Sequence, residues 1–352
     1  MRRIQVATIV VAVLGFVFGA LYRYLHDPVD ETNIANYPRS SLHGTGLTLA
    51  GWSIHLYFTS RGSAWMRRWP LVVELIIRSL AMAVAVATVA AALEVILYDH
   101  RIGKAWLVHD YPLIVGITFA GSMLVGAIYE LVRLVGGRAL VNVVLGRYRR
   151  PTREERVLLF LDLVGSTTLA EKMGELRVQD LLTRFFYDID AAIVAYGGEV
   201  HAYVGDEVIV TWPVGATPER AYVDCFFAIQ DRIAALAGQY ESEFGLVPEF
   251  RAGIHAGTVV ISECGDSRRQ VAYFGDTVNV AARLQAHCKE AGRPLLVSGE
   301  LLRLLPAGND LLVDALGPTR LRGRAAPIEI FALARRDQEA HWAFRSSALP
   351  AK

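Results

Sequence analysis

Residues Ile4–Tyr22, IQVATIVVAVLGFVFGALY, pass without a single charge. A helix of about 20 apolar residues matches the roughly 30 Å hydrocarbon core of a bilayer, so this run reads as a membrane span. Tyr111–Tyr129 is a second such run, and Leu71–Tyr98 a third, uncharged from Ser79 to Leu93. Glu74 and Arg78 precede that uncharged centre four residues apart, a spacing that allows an ion pair on one helix face as an interfacial anchor. A cleaved signal peptide is the rival reading of the first run, because Met1-Arg2-Arg3 resembles a charged leader. No small-x-small cleavage site follows, and further apolar runs come later, which favours a span.

Ser41–Ser60 lacks Asp, Glu, Lys and Arg but holds three glycines, two histidines and several hydroxyls. Topology argues for it. Arg2 and Arg3 precede the first span, Arg61, Arg67 and Arg68 follow this segment, and Arg133, Arg138, Arg147, Arg149 and Arg150 follow the last. These clusters share one side only if Ser41–Ser60 crosses, as the positive-inside rule prefers. The expectation is therefore four helices in residues 1–140, at about 4–23, 41–60, 71–98 and 111–135, in the inner (plasma) membrane with both termini cytoplasmic. His43, His55, His100 and His109 are scattered singly and read as ordinary polar residues rather than haem or metal ligands.

Charge divides the chain. Residues 1–150 hold 15 Lys/Arg against 8 Asp/Glu, and the remainder 21 against 27, so a basic apolar half precedes an acidic one. An acidic second half argues against nucleic acid as a partner. A hydrophobic content of 53% excludes a disordered or collagen-like chain. Three cysteines without metal-type spacing, Cys225, Cys264 and Cys288, read as reduced cytosolic thiols. Residues 141–156 form a juxtamembrane linker. Its Leu145–Arg156 stretch, LGRYRRPTREER, starts basic and suits anionic membrane lipid.

From Val157 the pattern alternates. VLLFLDL (157–163) reads as a buried strand, and Ser166–Tyr196 as a helix closed by Gly197-Gly198. EVHAY (199–203) and EVIVTW (207–212) read as a hairpin around Val204-Gly205-Asp206. Residues 218–245 read as helix, 249–257 as a strand and its exit, 277–291 as helix, 294–299 as a strand, and the end as a hairpin. Without strict β-α alternation the class is α+β. Asp162 ends the first strand and opens the loop Leu163-Val164-Gly165-Ser166-Thr167 into a helix, a natural place for a hard cation and phosphate oxygens. Asp206 lies in the hairpin turn. Singly, each aspartate is as readily a turn or cap residue; if the hairpin lies beside the first strand, the two converge.

FLDLVGSTTLAEKMG, GGEVHAYVGDEVIVTW, FRAGIHAGTVV and YFGDTVNVAARLQ, in this order, closely resemble the catalytic domain of class III nucleotidyl cyclases, from about Arg153 to Ala334. The resemblance implies a catalytic domain at 157–335 with a ferredoxin-like βαββαβ core, followed by a tail at 336–352. It implies an adenylate cyclase that turns ATP into 3′,5′-cyclic AMP and pyrophosphate, working as a homodimer with shared sites in signal transduction. Asp162 and Asp206 match the metal-binding aspartates, with the Leu163 carbonyl as an extra ligand for two Mg²⁺ or Mn²⁺ ions. Gly165, Ser166 and Thr167 fall in the phosphate loop. Asn279 and Arg283, four apart on a helix, match the transition-state pair. Arg322 and Arg324 both fall where the family places a γ-phosphate contact, and either can serve. The family's purine-reading lysine and aspartate fall on Ala202 and Ala272, which cannot hydrogen-bond a base edge through their side chains. That departure keeps two alternatives open: a guanylate cyclase, and a catalytically weak cyclase-fold receptor or partner subunit.

Overall fold

The computed structural model describes residues 2–26, 36–59, 69–98, 104–135, 142, 145–266, 269–306, 310–320 and 326–336. It separates into two compact units, Met1–Val141 and Asn142–Lys352.

The first unit contains the helices α1 (Arg2–His26), α2 (Asn36–Thr59), α3 (Leu71–Tyr98) and α4 (Lys104–Val135). Three of these are long and apolar enough to cross a membrane, over Gln5–Leu25, Leu71–Leu97 and Leu107–Val132. α2, with 24 residues, has the length but not the apolarity. Missing side chains set its approach to α1. A Cβ on Gly44 would lie 2.3 Å from the Gly15 carbonyl oxygen, and one on Gly15 2.8 Å from that of Gly44. Trp52 Nε1 donates to Thr8 Oγ1 across the same pair at 2.9 Å. Small residues pointing in, with Ile9, Val13 and Phe16 pointing out, match the way helices associate where lipid rather than water is the solvent. The expected Glu74–Arg78 pair does not form. Arg78 is buried instead, and a Cβ on Gly126 of α4 would meet its guanidinium at 3.0 Å, so a bare glycine is what leaves it room.

In the second unit β1 (Thr152–Leu163) leads through α5 (Ser166–Met173) and α6 (Glu175–Ala195) to the hairpin of β2 (Glu199–Val204) and β3 (Glu207–Pro213). Then come α7 (Ala221–Ala235), α8 (Ala237–Phe244), β4 (Phe250–Cys264), β5 (Gln270–Phe274) and α9 (Asp276–Ala291). The unit closes with β6 (Leu295–Ser298), α10 (Gly299–Leu302), β7 (Leu311–Thr319) and β8 (Ile328–Arg335). One sheet runs β2-β3-β1-β4-β6-β8-β7, with β5 paired to β4. β1 is antiparallel to both β3 and β4, which gives the expected βαββαβ core.

β1 buries six residues in a row, Arg156–Leu161, because helices cover both faces of the sheet. Leu159, Leu161 and Leu163 pack with Phe185 and Ile189 of α6 and Phe226 of α7. Leu158 and Phe160 pack on the other side with Ile261 and with Ala281 of α9. Each such large side chain contributes about 1.5–3 kcal/mol by leaving water.

Several elements differ from the expectations. The helix expected over 166–196 is two, broken at Gly174, whose φ of 88° no right-handed helix admits. The helix expected over 218–245 divides at Leu236. β1 begins five residues before Val157, and β4 runs to Cys264 rather than ending near Gly257, because its far half pairs with β5. β5 itself had no strand signal. Arg322 and Arg324 lie outside the described residues, as does the tail beyond Arg336.

Gly253 of β4 seats α9 directly on the sheet. A Cβ there would fall 2.3 Å from the Gln285 backbone nitrogen and 2.7 Å from the Ala281 carbonyl oxygen. Both contacts are backbone, so α9 would have to lift. Gly253→Ala should destabilise the second unit by about 1–3 kcal/mol, the usual range for overpacking. The urea midpoint of the full chain in detergent measures this; an unchanged midpoint would show that α9 is not seated as described.

Candidate active site

Asp162 is the penultimate residue of β1, and Asp206 stands in the turn between β2 and β3. The central position of β1 brings them together. It pairs with β3 in the register Asp162↔Glu207, and the Leu163 N–H donates to the Asp206 carbonyl at 3.3 Å. Gly205 takes a φ of 64°, which lets the hairpin turn tightly beside the end of β1. The two carboxyls are within hydrogen-bonding reach of each other when one is protonated.

The loop after β1 completes this corner. Gly165 caps α5 with a φ of 73°, leaving the first N–H groups of α5 without intrahelical partners. Ser166 Oγ donates to Asp206 Oδ2. Thr167 is exposed on the same turn. Leu163 anchors the loop by burying its side chain in the core.

Two residues join the site that the sequence did not single out. Glu207 stands beside Asp162 in the β1–β3 register, and Gln285 Nε2 of α9 donates to Asp162 Oδ2 at 3.2 Å. The GDE triplet after β2 carried a hint of Glu207. Nothing in the local pattern distinguished Gln285, because its partner lies 123 residues away.

Electrostatics here are unfavourable to the bare protein. Burial first, then the Asp206 charge and the hydrogen bond between the carboxyls, push Asp162 up to about 6. Burial, with Asp162 and Asp206 beyond it, pushes Glu207 up to about 7.

The other expected residues divide. Ala202 of β2 and Ala272 of β5 are half-buried, and their neighbours His201 and Tyr273 meet edge to face with ring centroids 4.4 Å apart, so the two strands are brought together. Asn279 and Arg283 of α9 are not brought to the aspartates of their own chain. At about 100° per residue they lie about 120° and 160° around the helix from Gln285, which faces Asp162. Asn279 is exposed, and among the described residues neither it nor Arg283 bonds to Asp162 or Asp206. Also among the described residues, no three His, Cys, Asp or Glu side chains form a metal cage.

Residues 150–335 match the family model described as the adenylate and guanylate cyclase catalytic domain. The chain belongs to the class III nucleotidyl cyclases. The cyclase is 39% identical over 201 residues to Adenylate cyclase 2 of Rhizobium meliloti (strain 1021), covering 57% of this chain and 55% of that one. It is 31% identical over 189 residues to Adenylate cyclase 1 of the same strain, covering 52% and 28%. It therefore spans about half the length of the first relative and under a third of the second. A solved bacterial light-regulated adenylyl cyclase shares the fold, with a TM-score of 0.53 at 23% identity over 67% of this chain and 70% of that one.

The raised carboxylates carry a stability consequence. Where the folded-state value exceeds the unfolded one, the folded cyclase binds more protons, and stability falls as pH rises through the interval. For Glu207 that interval runs from 4.5 to about 7. In chelator, the urea midpoint of Glu207→Gln should therefore fall less between pH 5 and pH 8 than that of the wild type. Parallel pH profiles would contradict the assignment.

Proposed function

We propose that this cyclase is a membrane-anchored adenylate cyclase. It would convert ATP to 3′,5′-cyclic AMP and pyrophosphate on the cytoplasmic side of the inner (plasma) membrane, as a homodimer. The convergence of Asp162 and Asp206 at the end of β1 carries this reading. The names of the Rhizobium relatives favour ATP over GTP.

The donor set fits divalent cations. Two carboxylates with hard oxygens, a further carbonyl from Leu163 and no closed cage suit Mg²⁺ or Mn²⁺, which keep positions open for phosphate oxygens. When bound, such ions lower the pKa of the ribose 3′-hydroxyl and neutralise the triphosphate. The chain's own residues do the rest. The free N–H groups of Gly165, Ser166 and Thr167 at the start of α5 take phosphate oxygens. The 3′-oxygen attacks the α-phosphorus, the bond to the β-phosphate bridging oxygen breaks, pyrophosphate leaves, and the 3′ proton passes to water. Asn279 orients the ribose, and Arg283 offsets charge on the α-phosphoryl group in flight. Because these two face away from their own aspartates, a second copy supplies them and each dimer holds two composite sites. Arg322 or Arg324 serves the γ-phosphate.

Ala202 and Ala272 leave the base without a side-chain hydrogen bond at those positions. Hydrogen bonds of this kind are worth about 0.5–1.5 kcal/mol each, so a preference for ATP of one or two orders of magnitude is the expected ceiling. Anchoring rests on α1, α3 and α4, with α2 as a fourth crossing that would place the arginine clusters together.

The direct test is cyclic nucleotide formation by the purified full chain from ATP and from GTP, each with Mg²⁺ or Mn²⁺. Cyclic AMP should dominate; no product from either would leave the cyclase-fold partner reading. Asp162→Ala or Asp206→Ala should lower the rate by orders of magnitude. Mixing Asp162→Ala chains with Arg283→Ala chains should restore one site per heterodimer. If heterodimers form without activity, the shared site is refuted.

A further inference from the structure

The hydrogen bond from Gln285 to Asp162 joins two elements with no local reason to meet. It depends on the contact at Gly253. In the β1–β4 register Gly253 stands opposite Phe160, two residues before Asp162. The backbone of α9 at Ala281–Gln285 rests directly on that glycine. The seat holds Gln285 level with the end of β1, where its Nε2 reaches Asp162 Oδ2 at 3.2 Å. Gln285 is half-buried, so the bond forms partly out of water.

We infer that Gln285 is a positioning residue for the metal aspartate. Its amide donates to one oxygen of Asp162 and so fixes the turn of the carboxylate, leaving the second oxygen for a cation. Ser166 donates to Asp206 in the same way, so each aspartate has a neutral side-chain donor. A neutral donor orients a carboxylate without competing for its charge, whereas a lysine or arginine there would repel the incoming ion. Outer partners of this kind typically change metal affinity 10–100-fold. Gln285 also places one face of α9 against the chain's own Asp162, while Asn279 and Arg283 look away from it. One helix thus serves the metal corner of its own chain and the transition-state pair of the other site. This inference rests on the metal assignment proposed above.

The test is Mn²⁺ binding to the full chain in detergent micelles, followed by the paramagnetic resonance signal of the unbound ion. Gln285→Met keeps length and bulk but loses the donor. It should need about tenfold or more Mn²⁺ for half-saturation, with its urea midpoint in chelator unchanged. Gln285→Asn keeps the amide but withdraws it by one methylene, and should show a loss of the same order. Wild-type affinity in either folded variant overturns the role of Gln285. A different result, equal binding by wild type and Asp162→Ala, would instead sink the metal assignment itself.

Discussion

β1 is the strand on which the rest of the catalytic unit depends. It lies between β3 and β4 and is covered by helices on both faces, so its side chains from Val157 to Leu161 are in the core whichever way they point. A strand in that position cannot slip by one residue without exchanging two packed faces. The register with β3 and β4 is thereby held, and with it the place where the chain leaves the core. That exit is Asp162. A carboxylate there is half-buried, so it carries a desolvation cost that a bound cation would offset.

The corner around Asp162 is consequently built against its own charge. Asp162, Asp206 and Glu207 are close; burial and then Asp206 hold Asp162 above the ordinary carboxylate range, and burial with both aspartates beyond it does the same to Glu207. Hydrogen bonds from Gln285 and Ser166 offset part of that cost. The same helix that supplies Gln285 presents Asn279 and Arg283 in another direction, because an α-helix sends residues four apart one way and residues six apart another. A single chain therefore does not bring Asn279 and Arg283 to its own aspartates.

The helical unit follows the opposite packing logic. The approach of α1 to α2 at Gly15 and Gly44 is made by the absence of side chains, and many of the unit's large apolar residues face outward. Where lipid replaces water, burying a leucine gains little and close backbone approach gains more. Close backbone approach of this kind is how α2, poorer in apolar residues, packs against α1.

Read alone, the sequence determined whatever depends on neighbours along the chain. The uncharged runs mark α1, α3 and α4 by composition, and VLLFLDL marks a strand covered on both faces. The resemblance to the cyclase motifs names Asp162, Asp206, Asn279 and Arg283, because those motifs are runs of neighbouring residues. Breaks such as Gly174 were missed because a glycine inside a periodic stretch signals nothing until its φ is known. What tertiary structure alone decided is whatever joins distant segments: the pairing of β5 with the far half of β4, the inward turn of Arg78 toward Gly126, and the placing of Glu207 beside Asp162. Gln285 is the clearest case. Its side chain is one polar residue on an amphipathic helix until Gly253, 32 positions earlier, lets that helix settle on the sheet within reach of a carboxylate 123 positions away. Such contacts follow from packing density across the core, which no local pattern of residues encodes.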